Sequence, residues 1–222
     1  MQEMGREIDL LRNYPTVQRN LDDRLTSKSD ETRKIARKFG REYFDGDRRF
    51  GYGGFHYDPK FWSPVIPDLV RHFQINPDSS ILDVGCAKGF MLFDFLKYYP
   101  NLRVAGIDIS EYALENSKTE VADFLTLANA TSLPFEDKTF DFVFSINTIH
   151  NLDRESCGLA LREISRVSRK GAFVVVDAYR NEEERRRLNA WNLTALTYMS
   201  TSEWRSFFQE NGYDGDFHWF IP

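Results

Sequence analysis

The chain of 222 residues contains only two cysteines, has no excess of positive charge and lacks any long apolar run. Cys86 and Cys157 are too few for a disulfide framework, which favours a reducing compartment. A net charge of −5 disfavours a nucleic-acid partner, because binding phosphates requires a basic surface. No stretch approaches the ~18 apolar residues of a membrane span, and the first residues lack the apolar core of an export signal. We therefore expect a cytoplasmic protein that neither inserts into a membrane nor binds nucleic acid.

Aromatic residues, in contrast, are abundant at 15% of the chain, and many of them cluster between residues 43 and 62. Length and a hydrophobic content of 41% predict one α/β core. We expect residues 63–222 to form this core and residues 1–62 to form an extension, with a helical arm over about residues 1–40 and an aromatic loop. The arm either packs as a solvated helix or acts as a lid over a substrate. Its apolar positions are Ile8, Leu10, Leu11, Val17, Leu21 and Leu25.

The rest of the chain is organised around residues 80–92. Residues 80–84 form an apolar, β-branched run typical of a buried strand, and residues 90–99 have the apolar period of a helix. Between them, Gly85 allows a turn without a Cβ, and Gly89 allows strand and helix to pack closely. Such a turn exposes the first N–H groups of the helix, which attract an anionic group. The stretch therefore predicts a cofactor-binding turn, which also contains Cys86.

The residues of this turn discriminate between cofactors. A dinucleotide-binding turn has the pattern G-x-G-x-x-G, but Ala87 and Phe90 stand where the second and third glycines belong. The remaining pattern, Asp83-x-Gly85-x-x-x-Gly89, resembles the first motif of class I S-adenosylmethionine (SAM) dependent methyltransferases. That motif usually has glycine in place of Ala87, and alanine can hold the turn if its φ is negative. The resemblance implies SAM rather than NAD as the cofactor.

A second acidic residue ends a second strand. Residues 103–109 predict a strand that reaches Asp108, where a carboxylate can accept hydrogen bonds from both ribose hydroxyls of a nucleoside. Ile109 is then expected to lie against the adenine ring. The alternative is that Asp108 only caps the helix that starts near Glu111.

The third and fourth strands carry the rest of the resemblance. Residues 124–128 and 142–146 predict strands, and between them stand a small polar segment at 129–131, the run Leu-Pro-Phe at 133–135, an acidic turn and Phe-Asp. This order is similar to that of the methyltransferase family that includes the ubiquinone and menaquinone methylating enzymes. The resemblance extends over about residues 65–178 and is specific for fold and cofactor rather than for substrate.

The resemblance implies an α/β fold with a doubly wound, mostly parallel sheet and the site at the carboxyl ends of its strands. It places Asn129 and Ala130 at the adenine, with the Asn129 carbonyl in place of the aspartate usual in the family. It also places the backbone of Ser145 and Ile146 at the methionine part of SAM. The family usually ends in a two-stranded hairpin, whereas residues 216–221 predict either one of those strands or a sheet without its seventh strand.

The residues expected to meet the methyl acceptor follow the fourth and fifth strands and lie in the aromatic loop. His150 titrates near neutral pH, so it serves either as the general base for a hydroxyl acceptor or as a packing residue. The resemblance places Asn147 beside it. In the aromatic loop, Tyr52 or Tyr57 is expected near the transferred methyl group, unless the rings only fasten the arm to the core. The candidate acceptor contacts are Asp47, Arg48, Tyr57, Asn147, Tyr179 and Arg180.

These patterns predict a SAM-dependent methyltransferase, of the EC 2.1.1 type, that acts on a small polar molecule. O-methylation of a sugar or another hydroxylated metabolite is favoured, because His150 offers a base. N-methylation needs less of a base and stays open, and so does a SAM-binding or partner-binding module without catalysis. A metal-assisted catechol mechanism is disfavoured, since no aspartate ends the fourth strand, and no metal is expected. The acceptor and the oligomeric state are open at this point.

Overall fold

A parallel sheet forms the centre of the chain, which a computed structural model describes over residues 5–15 and 29–222. The strands of this described part are β1 (Ser80–Val84), β2 (Arg103–Asp108), β3 (Leu125–Leu127), β4 (Phe140–Ile146), β5 (Ser168–Tyr179), β6 (Met199–Ser200) and β7 (Asp216–Phe220). They lie in the order β3-β2-β1-β4-β5, β5 also pairs with β6 and β7, and all of these pairings are parallel. The predicted doubly wound α/β fold is confirmed, with its switch point between β1 and β4.

Helices precede the sheet and cover its two faces. The α-helices of the described residues are α1 (Asp30–Ala36), α2 (Arg41–Phe44), α3 (Pro59–Trp62), α4 (Ile66–Phe73), α5 (Phe90–Tyr98), α6 (Glu111–Glu115), α7 (Arg154–Val167), α8 (Glu182–Trp191) and α9 (Thr201–Glu210). Short 3-10 turns lie at Arg48–Phe50, Ala122–Phe124 and Ile149–Asn151. In the part of the chain that the structure describes, no helix combines the length and the apolar character that crossing a membrane requires.

The core consists of two layers, one on each face of the sheet. β1 and β4 are buried along almost their whole length, which explains their nearly continuous apolar sequences. Alternate residues of β1 face opposite layers: Leu82 packs in the layer of Leu161 from α7, and Ile81 packs in the layer of Phe95 from α5. Because both faces are covered, a ligand can approach this sheet only at the ends of its strands.

The last strand closes one side of the sheet. Residues 173–177 of β5 pair in parallel with residues 216–220 of β7, and the described residues contain no hairpin partner for β7. Of the two endings expected, the chain therefore has a single terminal strand. The other side of β7 pairs with the amino-terminal segment: the Ile8 N–H donates to the Phe217 carbonyl at 2.9 Å, and the Phe217 N–H donates to the Arg6 carbonyl at 3.0 Å.

The prediction of a helix is wrong for residues 5–15. This segment is extended or turning: the Arg6 carbonyl and the Ile8 N–H bond to β7, and the Tyr14 N–H closes a turn on the Leu11 carbonyl. Leu10 is buried in the core, and Arg12 forms an ion pair with Asp68 of α4 at 2.9 Å. The predicted helix positions Val17, Leu21 and Leu25 lie outside the described residues. A helix is present at α1, where the Ser29 hydroxyl accepts the Thr32 N–H as N-cap.

Candidate functional site

The turn between β1 and α5 has an unusual backbone. Gly85, Ala87 and Gly89 have φ values of 87°, 49° and 74°, and the N–H groups of Gly85 and Cys86 both donate to the Ile107 carbonyl of β2. The expectation of a negative φ at Ala87 is wrong. Its N–H donates to Asp108 Oδ2 at 2.7 Å, a bond that holds the alanine in a left-handed conformation costing about 1 kcal/mol. The turn is therefore shaped by its neighbour in space as well as by its glycines.

Gly85 is the position of this turn that tolerates a side chain least. A Cβ there would lie 2.1 Å from Thr148 Oγ1, in addition to the left-handed strain. We expect Gly85→Ala to lower the free energy of unfolding by about 2–3 kcal/mol, measured by urea denaturation. Gly40→Ala is the control, because a Cβ at Gly40 meets no described atom within 4 Å. Equal stability of the two variants would contradict the tight packing of Thr148 on the turn.

Asp108 lies at the carboxyl end of β2 with both carboxylate oxygens held in place. Oδ2 accepts the Ala87 N–H at 2.7 Å, and Oδ1 accepts the Ser110 N–H at 2.9 Å. Burial raises the pKa of this carboxyl, and the backbone hydrogen bonds oppose the rise. A carboxylate has about four acceptor sites, so beside its backbone bonds, which include one from Ile109, the group keeps capacity to accept from a ligand. The helix α6 is capped by the Ser110 hydroxyl, which accepts the Ala113 N–H, rather than by Asp108.

A cavity of about 470 Å³ lies next to Asp108. We call it the first cavity; its walls come from both the sheet and the arm. The sheet side includes the predicted residues Ile109 and Asn129, and the Asn129 side-chain carbonyl accepts the Thr131 N–H at 3.0 Å. The arm side includes Phe39, whose carbonyl accepts the Ser110 hydroxyl at 2.5 Å. The residues that line this cavity are Lys38, Phe39, Gly40, Ile109, Ser110, Glu111, Tyr112, Leu127, Ala128 and Asn129.

Asp83 is a buried carboxyl at the end of β1, with 5% of its surface exposed. Burial and the charge of Asp108 raise its pKa to about 8. The group is therefore mostly protonated at pH 7. A cationic group brought next to it would favour ionisation, so this end of the turn suits an ammonium or sulfonium ligand.

An ion pair that the sequence analysis did not predict joins the aromatic loop to the turn. Lys88 Nζ lies 2.7 Å from Asp45 Oδ2, and the Lys88 side chain is only 5% exposed. The Tyr112 hydroxyl donates to the same oxygen at 2.7 Å, and the Phe55 N–H donates to Asp45 Oδ1 at 2.8 Å. Burial alone would raise the Asp45 pKa, but these bonds and the Lys88 charge lower it to about 2. The sequence signal for this ion pair is Lys88 itself: a lysine within a turn that is expected to be buried needs an anionic partner.

The rings of the aromatic loop stack on one another and over the start of α5. Tyr52 and Phe55 have centroids 4.3 Å apart, and Phe55 stacks on Phe90, the first residue of α5, at 4.9 Å. Tyr52 is 39% exposed, and its hydroxyl bonds to that of Tyr43. The Tyr43 hydroxyl also bonds to Thr194 and lies close enough to Asp108 to feel its charge. Tyr43 and Thr194 thus belong to the candidate site, although the sequence analysis named neither.

Most of the predicted acceptor contacts are engaged within the chain. Asp47 accepts the Arg49 N–H, and Arg48 donates to two carbonyls of its own loop. The Tyr57 hydroxyl donates to Asp94 of α5 at 2.6 Å. On the fifth strand's side, Arg180 forms an ion pair with Glu184 at 2.6 Å, and the Tyr179 hydroxyl donates to Glu203 at 3.5 Å. Asp47 and Arg48 are thus paired within the aromatic loop, whereas the partners of Tyr57, Arg180 and Tyr179 lie on α5, α8 and α9.

The remaining predicted residues lie at the ends of β1, β3 and β4. The Ser145 hydroxyl donates to the Val84 carbonyl at 3.1 Å, which fixes β4 to β1. The Cys86 thiol is buried against β2, and burial raises its pKa well above the ordinary value. Ala130 is buried and Ile146 half-buried, whereas Asn147 is exposed with φ 55°. The backbone at these strand ends borders the site, as the topology requires.

His150 is buried, with 4% of its surface exposed. Its Nδ1 accepts the Asp177 N–H at 3.2 Å, and its Nε2 lies 3.7 Å from Asp177 Oδ1. Burial lowers the pKa of the ring, although the Asp177 charge acts in the opposite direction. A neutral ring whose Nδ1 accepts a hydrogen bond carries its proton on Nε2. In this arrangement neither nitrogen has a free lone pair for a proton from an acceptor.

Comparisons with known proteins agree with this description. Residues 82–176 match the family model described as "Methyltransferase domain". The chain is 36% identical to a demethylmenaquinone methyltransferase of Symbiobacterium thermophilum, over 53% of this chain and 49% of that protein. It is 31% identical to a malonyl-[acyl-carrier protein] O-methyltransferase of Legionella pneumophila, over 45% of this chain and 36% of that protein. The chain thus spans about half the length, or less, of these curated relatives.

A solved structure shares the fold. The YcgJ protein of Bacillus subtilis superposes with a TM-score of 0.54 and 22% identity, over 64% of this chain and 65% of that chain. At this level of identity the likeness concerns the architecture of the sheet and its helices. The two curated relatives are named for the methylation of different molecules, so the comparisons leave the acceptor open.

Proposed function

We propose that the chain, which matches a methyltransferase domain over residues 82–176, is a class I SAM-dependent methyltransferase and transfers a methyl group from SAM to a small polar acceptor. The observation that carries this proposal is the Asp108 carboxylate, which backbone N–H groups hold at the end of β2, directly before Ile109 and Ser110 in the lining of the first cavity. A carboxylate that keeps acceptor capacity at this strand end suits the two hydroxyls of a ribose. We further propose that, of the extension at residues 1–62, the aromatic loop covers the site formed by residues 63–222.

The residues around the turn fit the parts of SAM. Asp108 would bind the ribose, and Ile109 and Asn129 would contact the adenine in the first cavity. The turn at Gly85 would receive the zwitterionic amino-acid end, whose ammonium group would favour ionisation of Asp83. SAM supplies a methyl group already activated on a sulfonium. The contribution of the chain is then to orient the acceptor and to exclude water under the aromatic loop.

For the acceptor we propose a hydroxyl of a sugar or of another hydroxylated metabolite. Hydroxyl groups of Tyr43, Tyr52 and Thr194 cluster near Asp108, and they can exchange hydrogen bonds with such a molecule. We assign His150 a positioning role in place of the base role expected from the sequence. Its ring holds the Asp177 N–H, and its carbonyl accepts the N–H groups of Leu196 and Thr197.

The role of His150 can be tested with an isosteric side chain. The Oδ1 atom of asparagine can replace Nδ1 as acceptor of the Asp177 N–H, but asparagine cannot take up a proton. We expect His150→Asn to keep turnover within about threefold and His150→Leu, which loses the acceptor, to lower it about tenfold or more. Both variants should retain SAM affinity. A fall of about 10²-fold in the asparagine variant, with loss of a limb of the pH–rate profile, would instead identify His150 as the base.

The proposed function itself is tested by calorimetric titration of the chain with SAM and, separately, with NAD. We expect SAM to bind and NAD not to bind. A panel of sugars and nucleotide sugars is then incubated with SAM, and formation of S-adenosylhomocysteine (SAH) is measured. Binding of NAD alone would overturn the cofactor assignment. Binding of SAM without turnover on any hydroxylated or amino acceptor would favour a non-catalytic SAM-binding module.

A further inference from the structure

We propose that the acceptor carries an anionic group, a phosphate or a carboxylate, which Arg33 and Arg37 bind in a second cavity of the site. This inference rests on the proposed methyl transfer and adds the chemical class of the acceptor. The second cavity has a volume of about 430 Å³. Its described lining contains two arginines and no acidic residue: Arg33, Arg37, Asn189, Asn192, Ala195, Leu196 and Tyr198.

The two arginines have donors to spare. Arg37 donates from Nε to the Thr194 carbonyl at 3.2 Å and from Nη2 to the Ala195 carbonyl at 3.5 Å. A guanidinium has five N–H donors, so these two bonds fix the direction of Arg37 and leave several donors for a ligand. Arg33 lies 3.6 Å from Asp30, whose side chain is 95% exposed. Water and salt screen such a pair strongly, so an oxyanion in the cavity can compete for Arg33.

The loop that forms the floor of the second cavity is rigid. Asn192 is buried, its amide donates to the Ala195 carbonyl at 2.9 Å, and its carbonyl accepts the Ala195 N–H at 2.8 Å. The N–H groups of Leu196 and Thr197 are held by the His150 carbonyl. Because these hydrogen bonds already order the loop, binding of an anion by the guanidinium groups requires little further ordering of the protein, and the entropic cost of binding is small.

The second cavity adjoins the proposed cofactor site. Thr194 links the two sites. Its carbonyl accepts a hydrogen bond from Arg37, which lines the second cavity, and its side chain bonds to Tyr43. Tyr43 in turn lies close enough to Asp108 for the charge of that carboxylate to raise its pKa. The end of α1 also separates the two cavities: Arg33 and Arg37 line the second, whereas residues 38–40 line the first. A molecule anchored by its anionic group at the arginines therefore extends toward the carboxyl ends of the strands, where the methyl group is transferred.

Pairs of nearby arginines suit oxyanions for a specific reason. Planar guanidinium groups form two parallel hydrogen bonds to phosphate or carboxylate oxygens. The attraction between a guanidinium and an oxyanion still contributes to affinity at physiological ionic strength when the two groups are partly shielded from solvent. The same cavity would bind a neutral sugar poorly, because its cations would lose hydration without a compensating charge.

The test uses the whole chain saturated with SAH and titrated by calorimetry with inorganic phosphate and, separately, with malonate. We expect saturable binding of one or both anions, and their relative affinity distinguishes a phosphate acceptor from a carboxylate acceptor. Arg33→Gln should weaken this binding about tenfold and Arg33→Gln/Arg37→Gln further, with SAH affinity in Arg33→Gln unchanged within twofold. Arg41→Gln is the matched control, since Arg41 is exposed on the neighbouring helix α2 and pairs with Glu42.

The outcomes separate this inference from the proposed function. Unaltered anion binding in the double variant, an equal loss in Arg41→Gln, or absence of saturable binding would overturn the anion site. Failure of the unmodified chain to bind SAH would instead overturn the proposed function. If SAH binds and neither anion does, methyl transfer stands and the acceptor is not recognised through a phosphate or a carboxylate.

Discussion

Replacement of Asp108 by alanine is expected to weaken SAM binding about 10³-fold. Hydrogen bonds to a charged acceptor contribute about 1.5–3 kcal/mol each, and the two ribose hydroxyls would both donate to this carboxylate. Their loss amounts to about 4 kcal/mol, or about three powers of ten in the dissociation constant. The N–H groups of Ala87 and Ser110, which the carboxylate now accepts, would also lose their partner. Calorimetric titration with SAM and with SAH measures the effect.

Two further variants make this prediction specific. Asp108→Asn keeps one acceptor oxygen, so its loss of affinity should be intermediate, about 10–100-fold. Asp123→Ala removes an exposed acid from the turn before β3 and should leave affinity unchanged, which separates a local effect from a change in net charge. SAM affinity within threefold of the original chain in Asp108→Ala would show that the ribose binds elsewhere.

Replacement of Asp45 by alanine is expected to lower the free energy of unfolding by about 3 kcal/mol. Lys88 would remain buried without its counter-charge, and breaking a buried ion pair by removing one partner typically costs 3–5 kcal/mol. Tyr112 and the Phe55 N–H would also lose their acceptor. Urea denaturation followed by circular dichroism measures the change. Asp47→Ala is the control, because Asp47 is exposed in the same loop and its partners are the N–H and the exposed guanidinium of Arg49.

The double variant Asp45→Ala/Lys88→Met isolates the buried charge. Methionine is apolar and similar in length to the lysine stem. The double variant therefore has no buried charge at this position, whereas Asp45→Ala leaves the Lys88 ammonium buried without a counter-charge. We expect the double variant to be more stable than Asp45→Ala alone, which gives a positive coupling in the mutant cycle. Additive losses in the two single variants would contradict an interaction between these residues.

The same ion pair predicts how stability depends on pH. The Asp45 pKa is about 2 in the folded chain, below the ~3.9 of an unfolded aspartate. Its contribution is therefore complete above about pH 5 and is lost as the pH falls through about 2, by about 2–3 kcal/mol in total. Stability measured between pH 5 and 2 should fall more steeply in the original chain than in Asp45→Ala.

Two features of the chain could be predicted from short stretches of sequence. The run at residues 80–84 is apolar along its whole length, as a strand covered on both faces must be, and the fold followed from that and from the order of later strands. The ion pair between Arg180 and Glu184 could also be predicted from the sequence, because the two residues are four positions apart, about one helical turn. The substrate contact predicted for Arg180 stays a prediction, and this ion pair would have to share the guanidinium with the substrate.

Other features depend on residues that are distant in sequence. Asp45 and Lys88 are far apart along the chain, and neither segment by itself indicates the other. The amino-terminal segment has apolar residues at helical spacing, yet its backbone bonds to β7 at the opposite end of the chain. The chemical state of His150 likewise depends on the Asp177 N–H, which belongs to another strand. In each case the partner is decided by which elements pack together.

The sequence by itself determined the fold class, the glycine turn and the acidic residue at the end of β2, because apolar periodicity and backbone freedom act over a few neighbouring residues. Only the tertiary structure decided which polar groups are free to meet a ligand. Arg48, Tyr57 and Arg180 have partners within the chain. Arg33 and Arg37 also have partners, but both in addition line a cavity. Hydrogen bonds and ion pairs saturate, so a side chain's role depends on the contacts that folding has already made.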